Sequence, residues 1–124
     1  MGSVLVILSM CVNIIVAGYF GVRLFGVRLF GGSSQSPSLK QSFGEDTPAR
    51  QILACVYLAI AIMSIWALID QARMIDIALV LFPMQILYKL LTLISVRDRS
   101  NPVPLSNLII SILHSFSLLA IWFL

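Results

Sequence analysis

Residues 51–96 read QILACVYLAIAIMSIWALI, then DQAR, then MIDIALVLFPMQILYKLLTLISV. Two apolar runs, each close to the roughly 20 residues that a helix needs to cross hydrocarbon, are separated only by Asp70-Gln71-Ala72-Arg73. A connection that short joins antiparallel neighbours, so the stretch reads as a transmembrane helical hairpin.

Working outward, residues 3–22 and 105–124 have the same length and composition, which gives four spans at about 3–22, 51–69, 74–96 and 105–124. Arg97-Asp98-Arg99-Ser100-Asn101-Pro102-Val103-Pro104 is a polar turn closed by two prolines, which makes the last two spans a second hairpin. The fold class expected is all-α, a four-transmembrane-helix bundle of two antiparallel hairpins, with residues 1–124 forming a single integral membrane domain. Residues 23–50 make the one long connection. Their Gly31-Gly32-Ser33-Ser34-Gln35-Ser36-Pro37-Ser38 stretch buries little and predicts a mobile loop, after which Asp46 or Thr47 is placed to cap a helix with Pro48 in its first turn.

Composition agrees. The 124 residues are 60% hydrophobic and 10% charged, against about 25% charged in an ordinary soluble domain. A soluble fold of this size leaves roughly a third of its chain surface in water, so this chain needs lipid around it. The net charge of +3 does not point to nucleic acid, because the basic residues flank apolar runs rather than clustering with stacking aromatics. Arg23, Arg28, Lys40, Arg50, Arg97 and Arg99 lie in the first and third connections and only Arg73 in the second. The positive-inside rule then places both termini on the non-cytoplasmic side, and the membrane expected is a bacterial cytoplasmic or photosynthetic one. The first apolar run ends in Tyr19-Phe20-Gly21-Val22-Arg23 instead of a small-residue cleavage site and reads as a retained span. Cys11 and Cys55 have no CxxC or Cys/His spacing, so the expectation is two buried small hydrophobes and no metal site.

A tandem repeat, Phe20-Gly21-Val22-Arg23-Leu24 followed by Phe25-Gly26-Val27-Arg28-Leu29, has a period that turns a helix by about 140°, so its two arginines fall on different faces. It reads either as an interfacial segment meeting headgroups or as a short duplication in a tolerant loop.

Ionisable groups inside a span are costly, which makes them the candidates for function. Asp70, Arg73 and Asp76 form a charge cluster at the outer end of the first hairpin. Deeper in, Gln85, Tyr88, Lys89, Thr92 and Ser95 share one helical face, just after Pro83, which frees the Leu79 carbonyl. Asn107, Ser111 and His114 line one face of the last span, with Ser117 at its edge. Counting rise from the inner boundary puts Lys89 about 12 Å, His114 about 14 Å and Asn13 about 15 Å into the membrane, a depth at which the three can form one polar layer. His114, Lys89, Asn13, Gln85 and Tyr88 are therefore the candidate cofactor-binding residues, for a chlorophyll-type pigment or haem on His114, or a quinone carbonyl or other anionic head near Lys89. The plainer reading is that Lys89 snorkels and the remaining polar groups hydrogen-bond between helices.

No catalytic set is present: there is no Ser/His/Asp group, no paired carboxylates in a span, no metal-ligand cluster and no phosphate loop. Small multidrug-resistance transporters are similar in size and span count but need a glutamate in the first helix, where this chain has Asn13. Small fluoride channels are also similar in size, and their typical dual topology conflicts with the charge bias here. Pro83-Met84-Gln85, Tyr88, Arg97, Asn101, Asn107-Leu108-Ile109 and His114 together resemble small uncharacterised four-helix bacterial membrane families of the DoxX-like class, which implies architecture and no activity. The leading functional expectation is a non-enzymatic accessory or assembly subunit of a larger membrane complex, with lipid and other membrane subunits as partners. The alternatives are a small homo-oligomeric transporter or channel, and a pigment- or quinone-binding subunit of a photosynthetic or respiratory complex.

Overall fold

The structure, a computed structural model, describes residues 2–30, 37–44, 47–96 and 101–123, with side chains described over residues 3–25, 40–44, 47–96 and 101–123. Within them the chain is helical, without strands: α1 (Gly2–Phe30), α2 (Pro37–Phe43), α3 (Pro48–Ile69), α4 (Met74–Ser95) and α5 (Val103–Phe123). The segments Ser3–Phe25, Pro48–Ile69, Met74–Ser95 and Val103–Phe123 are long and apolar enough to cross a bilayer. At about 1.5 Å per residue each matches a hydrocarbon core of roughly 30 Å. The molecule is an all-α, four-helix integral membrane protein.

Local chemistry fixes the helix ends. Thr47 caps α3, its Oγ1 accepting from the Arg50 N–H at 3.3 Å, with Pro48 in the first turn; Asp46, the other expected cap, lies outside the described residues. Asn101 starts α5 by accepting from the Val103 N–H at 3.0 Å. Gly44 closes α2 at φ 79°, in the left-handed region, where its N–H reaches the Lys40 carbonyl at 2.8 Å. The turn between α3 and α4 is tightened by Arg73 against Asp70 at 3.5 Å. Helix α4 runs unbroken through Pro83.

The connection expected to be mobile over residues 23–50 is largely helical where it is described. Helix α1 continues past residue 22 to Phe30 because its inner end packs on α3: Leu24 is fully buried and its carbonyl accepts from Gln51 Nε2 at 3.1 Å. The repeat is thus helical in backbone, while the side chains of its second copy after Phe25 and the Gly/Ser stretch over 31–36 lie outside the described residues. Helix α2 is tied across the same end. The Phe43 ring packs on Phe20 at 5.2 Å and Tyr57 at 6.0 Å, the Ser42 carbonyl accepts from Asn101 Nδ2 at 3.0 Å, and the Gly44 carbonyl accepts from Arg50 Nη1 at 2.9 Å.

Contacts between helices set the order. Asn13 meets Ser64 and Gly18 meets Ala61; Ser9 meets Ser117 and Asn13 meets His114; Phe82 meets His114 and Lys89 meets Asn107. In each pair the numbers run in opposite directions, so neighbouring helices are antiparallel. The order around the bundle is α1, α3, α4, α5 and back to α1, with both described ends of the chain at one end of the bundle. The α1–α3 pair packs most extensively and α3–α4 least among these neighbours.

Small residues allow the close α1–α3 crossing. A Cβ on Gly21 would sit 2.9 Å from the Leu58 side chain and 3.0 Å from its backbone nitrogen, and Ala17, Ala54 and Ala61 are buried. In lipid, helix association depends on such close contact and on interhelical hydrogen bonds, since lipid tails are as apolar as leucine. The outward faces carry exposed Val4, Ile15, Ile62, Leu87, Ile109 and Trp122, which meet the bilayer. The cysteines correct an expectation: Cys55 is exposed and Cys11 half-buried, because in a membrane bundle an apolar run has a lipid-facing side and thiols on it need no burial in protein.

Candidate functional site

The interior is polar at its centre. Asn13 is 2% exposed, Gln85 1%, Lys89 5% and His114 0%, and Ser9, Ser64, Asn107, Ser111 and Ser117 are buried with them. Each comes from the inward stripe of its helix, and together they span all four long helices.

Hydrogen-bond directions propagate through this core. Ser64 Oγ gives its single proton to the Ile60 carbonyl at 2.8 Å, so it must accept from Asn13 Nδ2 at 3.1 Å. That turns Asn13 Oδ1 towards His114 Nε2, 3.1 Å away, and the imidazole must carry its proton on that nitrogen. The ring lies flat on Phe82, with centroids 4.5 Å apart and planes within 3°. One chain of bonds thus links α3, α1 and α5, and the stacked ring brings in α4. One turn further towards the chain ends, Ser117 Oγ gives its proton to the Leu5 carbonyl at 3.0 Å or the Leu113 carbonyl at 3.1 Å, and so accepts from Ser9 Oγ at 2.7 Å.

Lys89 sits on the other side of the polar core. Its Nζ donates to Asn107 Oδ1 at 3.3 Å and lies 4.9 Å from the Tyr88 ring centroid. It therefore reaches the start of α5 rather than lipid or open water. The charge is held within the bundle, which is a different arrangement from simple snorkelling to the surface. No hydrogen bond joins Lys89 to His114 among the described residues: the lysine pairs with Asn107 and the histidine with Asn13.

Between these groups is a cavity of about 20 Å³ lined by Asn13, Ala17, Phe20, Tyr57, Gln85 and Lys89, among others. The aromatic group of Phe20, Phe43 and Tyr57 covers it from the α2 end. In this interior the buried Gln85 Nε2, Tyr88 Oη, Ser111 Oγ and His114 Nδ1 have no partner among the described residues. Such atoms are rare in folded proteins, and each calls for a bound water, an ion or a functional role.

The five sequence candidates are brought to the interior of one bundle, with Asn13, Gln85 and Lys89 on the cavity, His114 bonded to Asn13, and Tyr88 half-buried beside Lys89. Thr92 is half-buried and Ser95 exposed, so the α4 stripe leaves the interior after Lys89. His114 has its face covered by Phe82, its Nε2 bonded to Asn13 and no accessible surface, so neither ring nitrogen is open to a metal-centred cofactor in this arrangement. A cavity of about 20 Å³ is likewise far smaller than a quinone ring. Sequence reading overlooked Ser9, Ser64 and Phe82. The four-residue spacing from Ser9 to Asn13 was a usable signal, whereas nothing local marks Ser64 or Phe82. Among the described residues no cluster of His, Cys, Asp or Glu is placed to hold a metal ion.

Compared with protein-family models, curated proteins and solved structures, the chain matches none.

Proposed function

We propose that this protein is a non-enzymatic accessory or assembly subunit of a larger membrane complex, seated on a partner helix through the seam between α3 and α4. The observation that carries the reading is the groove along that seam, about 490 Å³, open to the outside and lined by Met63, Ile77, Val80, Leu81 and Met84, with Arg73 and Asp76 at its outer mouth. It is apolar at hydrocarbon depth and polar where the membrane ends, the pattern that suits an apolar transmembrane helix entering the interface. Two methionines add adaptable, polarizable surface. The interior speaks less for transport, since its polar groups largely bond one another around a water-sized space. In the same reading both termini face away from the cytoplasm, which the arginine distribution supports.

The test is purification from its native membrane in a gentle detergent, followed by identification of co-migrating chains. The expected result is a stoichiometric partner that is lost when Val80→Trp fills the groove while the variant keeps its helical content. A preparation containing only copies of this chain, or robust solute flux from the purified protein in liposomes, would replace this reading with that of a homo-oligomeric transporter.

A further inference from the structure

We propose that the central cavity is a binding site for a single monatomic halide, held by Lys89 and Gln85. The lining carries an excess of donors. Lys89 Nζ has three N–H groups and gives one to Asn107 Oδ1. Gln85 Nε2 is buried without a partner, on the same α4 face one turn away. Asn13 Nδ2 uses one of its two N–H groups on Ser64.

Charge completes the argument. Among the described residues the carboxylates Asp70 and Asp76 lie at the far end of α4, and Asp76 is about 20 Å along the helix from Lys89. The ammonium therefore lies at hydrocarbon depth with a neutral amide as its hydrogen-bond acceptor, an arrangement that is costly without a counter-ion. A space of about 20 Å³ holds one water-sized particle, which excludes phosphate, sulfate and carboxylates and admits a bare halide. The rings of Phe20 and Tyr57 line the same space, with Phe43 packed on both.

The experiment measures the thermal midpoint of the purified, detergent-solubilised protein in gluconate, with sodium chloride or sodium bromide titrated in at constant ionic strength. A ligand that binds only the folded state raises the midpoint with concentration. The expected result is a saturating rise with both halides in the wild type, no halide response in Lys89→Met, and none in Gln85→Glu, whose own carboxylate takes the ion's place and raises the midpoint in gluconate alone. Crystals grown in bromide should show one anomalous peak beside Lys89 Nζ, a readout independent of whether either variant folds. A wild-type midpoint indifferent to halide, or bromide crystals with no peak in the cavity, would overturn the proposal and leave a water there. Neither result bears on the partner groove between α3 and α4, which is tested separately by co-purification.

Discussion

The α1–α3 and α3–α4 interfaces share a helix and differ in almost everything else. Helices α3 and α4 are joined by a turn of a few residues, yet they splay enough to leave a groove of about 490 Å³. Helices α1 and α3 are separated by a long connection, yet Gly21 packs so closely on Leu58 that a Cβ would approach within 2.9 Å. Closeness in the chain therefore does not decide closeness in the bundle. In a bilayer the apolar effect is already satisfied by lipid, and helices pair where small side chains permit contact and polar ones bond across.

The sharpest way to break that contrast is Gly21→Val, which drives a branched side chain into Leu58, whose backbone nitrogen cannot move aside. A loss of about 1–3 kcal/mol is expected in a detergent unfolding titration. Gly18→Ala, three residues away, is the control. Its Cβ would meet Ala61 at an ordinary 3.7 Å, so a change within about 0.5 kcal/mol is expected, and equal losses in the two variants would remove the close crossing at Gly21.

Next in size is Asn13→Leu, which strands the His114 Nε2–H in the interior, takes from Ser64 Oγ the donor it accepts, and should cost about 1–3 kcal/mol. A double-mutant cycle between Asn13→Ala and His114→Ala should return a coupling of about 0.6 kcal/mol, the usual value for a hydrogen bond between membrane helices. A coupling indistinguishable from zero would mean that the two side chains do not meet. The smallest effect is expected in the open seam, where Val80→Ala should shift the stability of the isolated chain by less than about 0.5 kcal/mol, because Val80 is exposed. A large loss there would show the groove closed by the protein itself. Orientation is checked separately in a chain lacking Cys11 and Cys55: cysteine at Ser36 should be labelled from the cytoplasmic side and cysteine at Gln71 from the other, although residue 36 lies outside the described residues.

Two strengths of signal explain how much of this was legible beforehand. Span number follows from the length of the apolar runs, the antiparallel hairpins from the short connections, and the inward stripes through Gln85 and Lys89, and through Asn107 and His114, from helical periodicity, all of which a single sequence records directly. The Thr47 cap with Pro48 is equally local. The course of residues 23–50 was not legible: α2 and the inner end of α1 are held by Phe43 on Phe20 and Tyr57, and by Gln51 on Leu24, contacts between distant parts of the chain.

The sequence by itself determined that four apolar helices are long enough to cross a membrane and that a lysine, a histidine and an asparagine ride on their inward faces. Only the tertiary structure decided their partners. Rise per residue fixes neither the offset nor the rotation of one helix against the next; the structure levels the His114 ring with Phe82 and Asn13, and sends Lys89 to Asn107, about 10 Å further along α5, so the three groups do not form the single layer that counting from the boundary predicts. It also decided which seam closed. That depended on Gly18 facing Ala61 and Gly21 facing Leu58 across one crossing while Val80 and Met84 of the other were left turned outward.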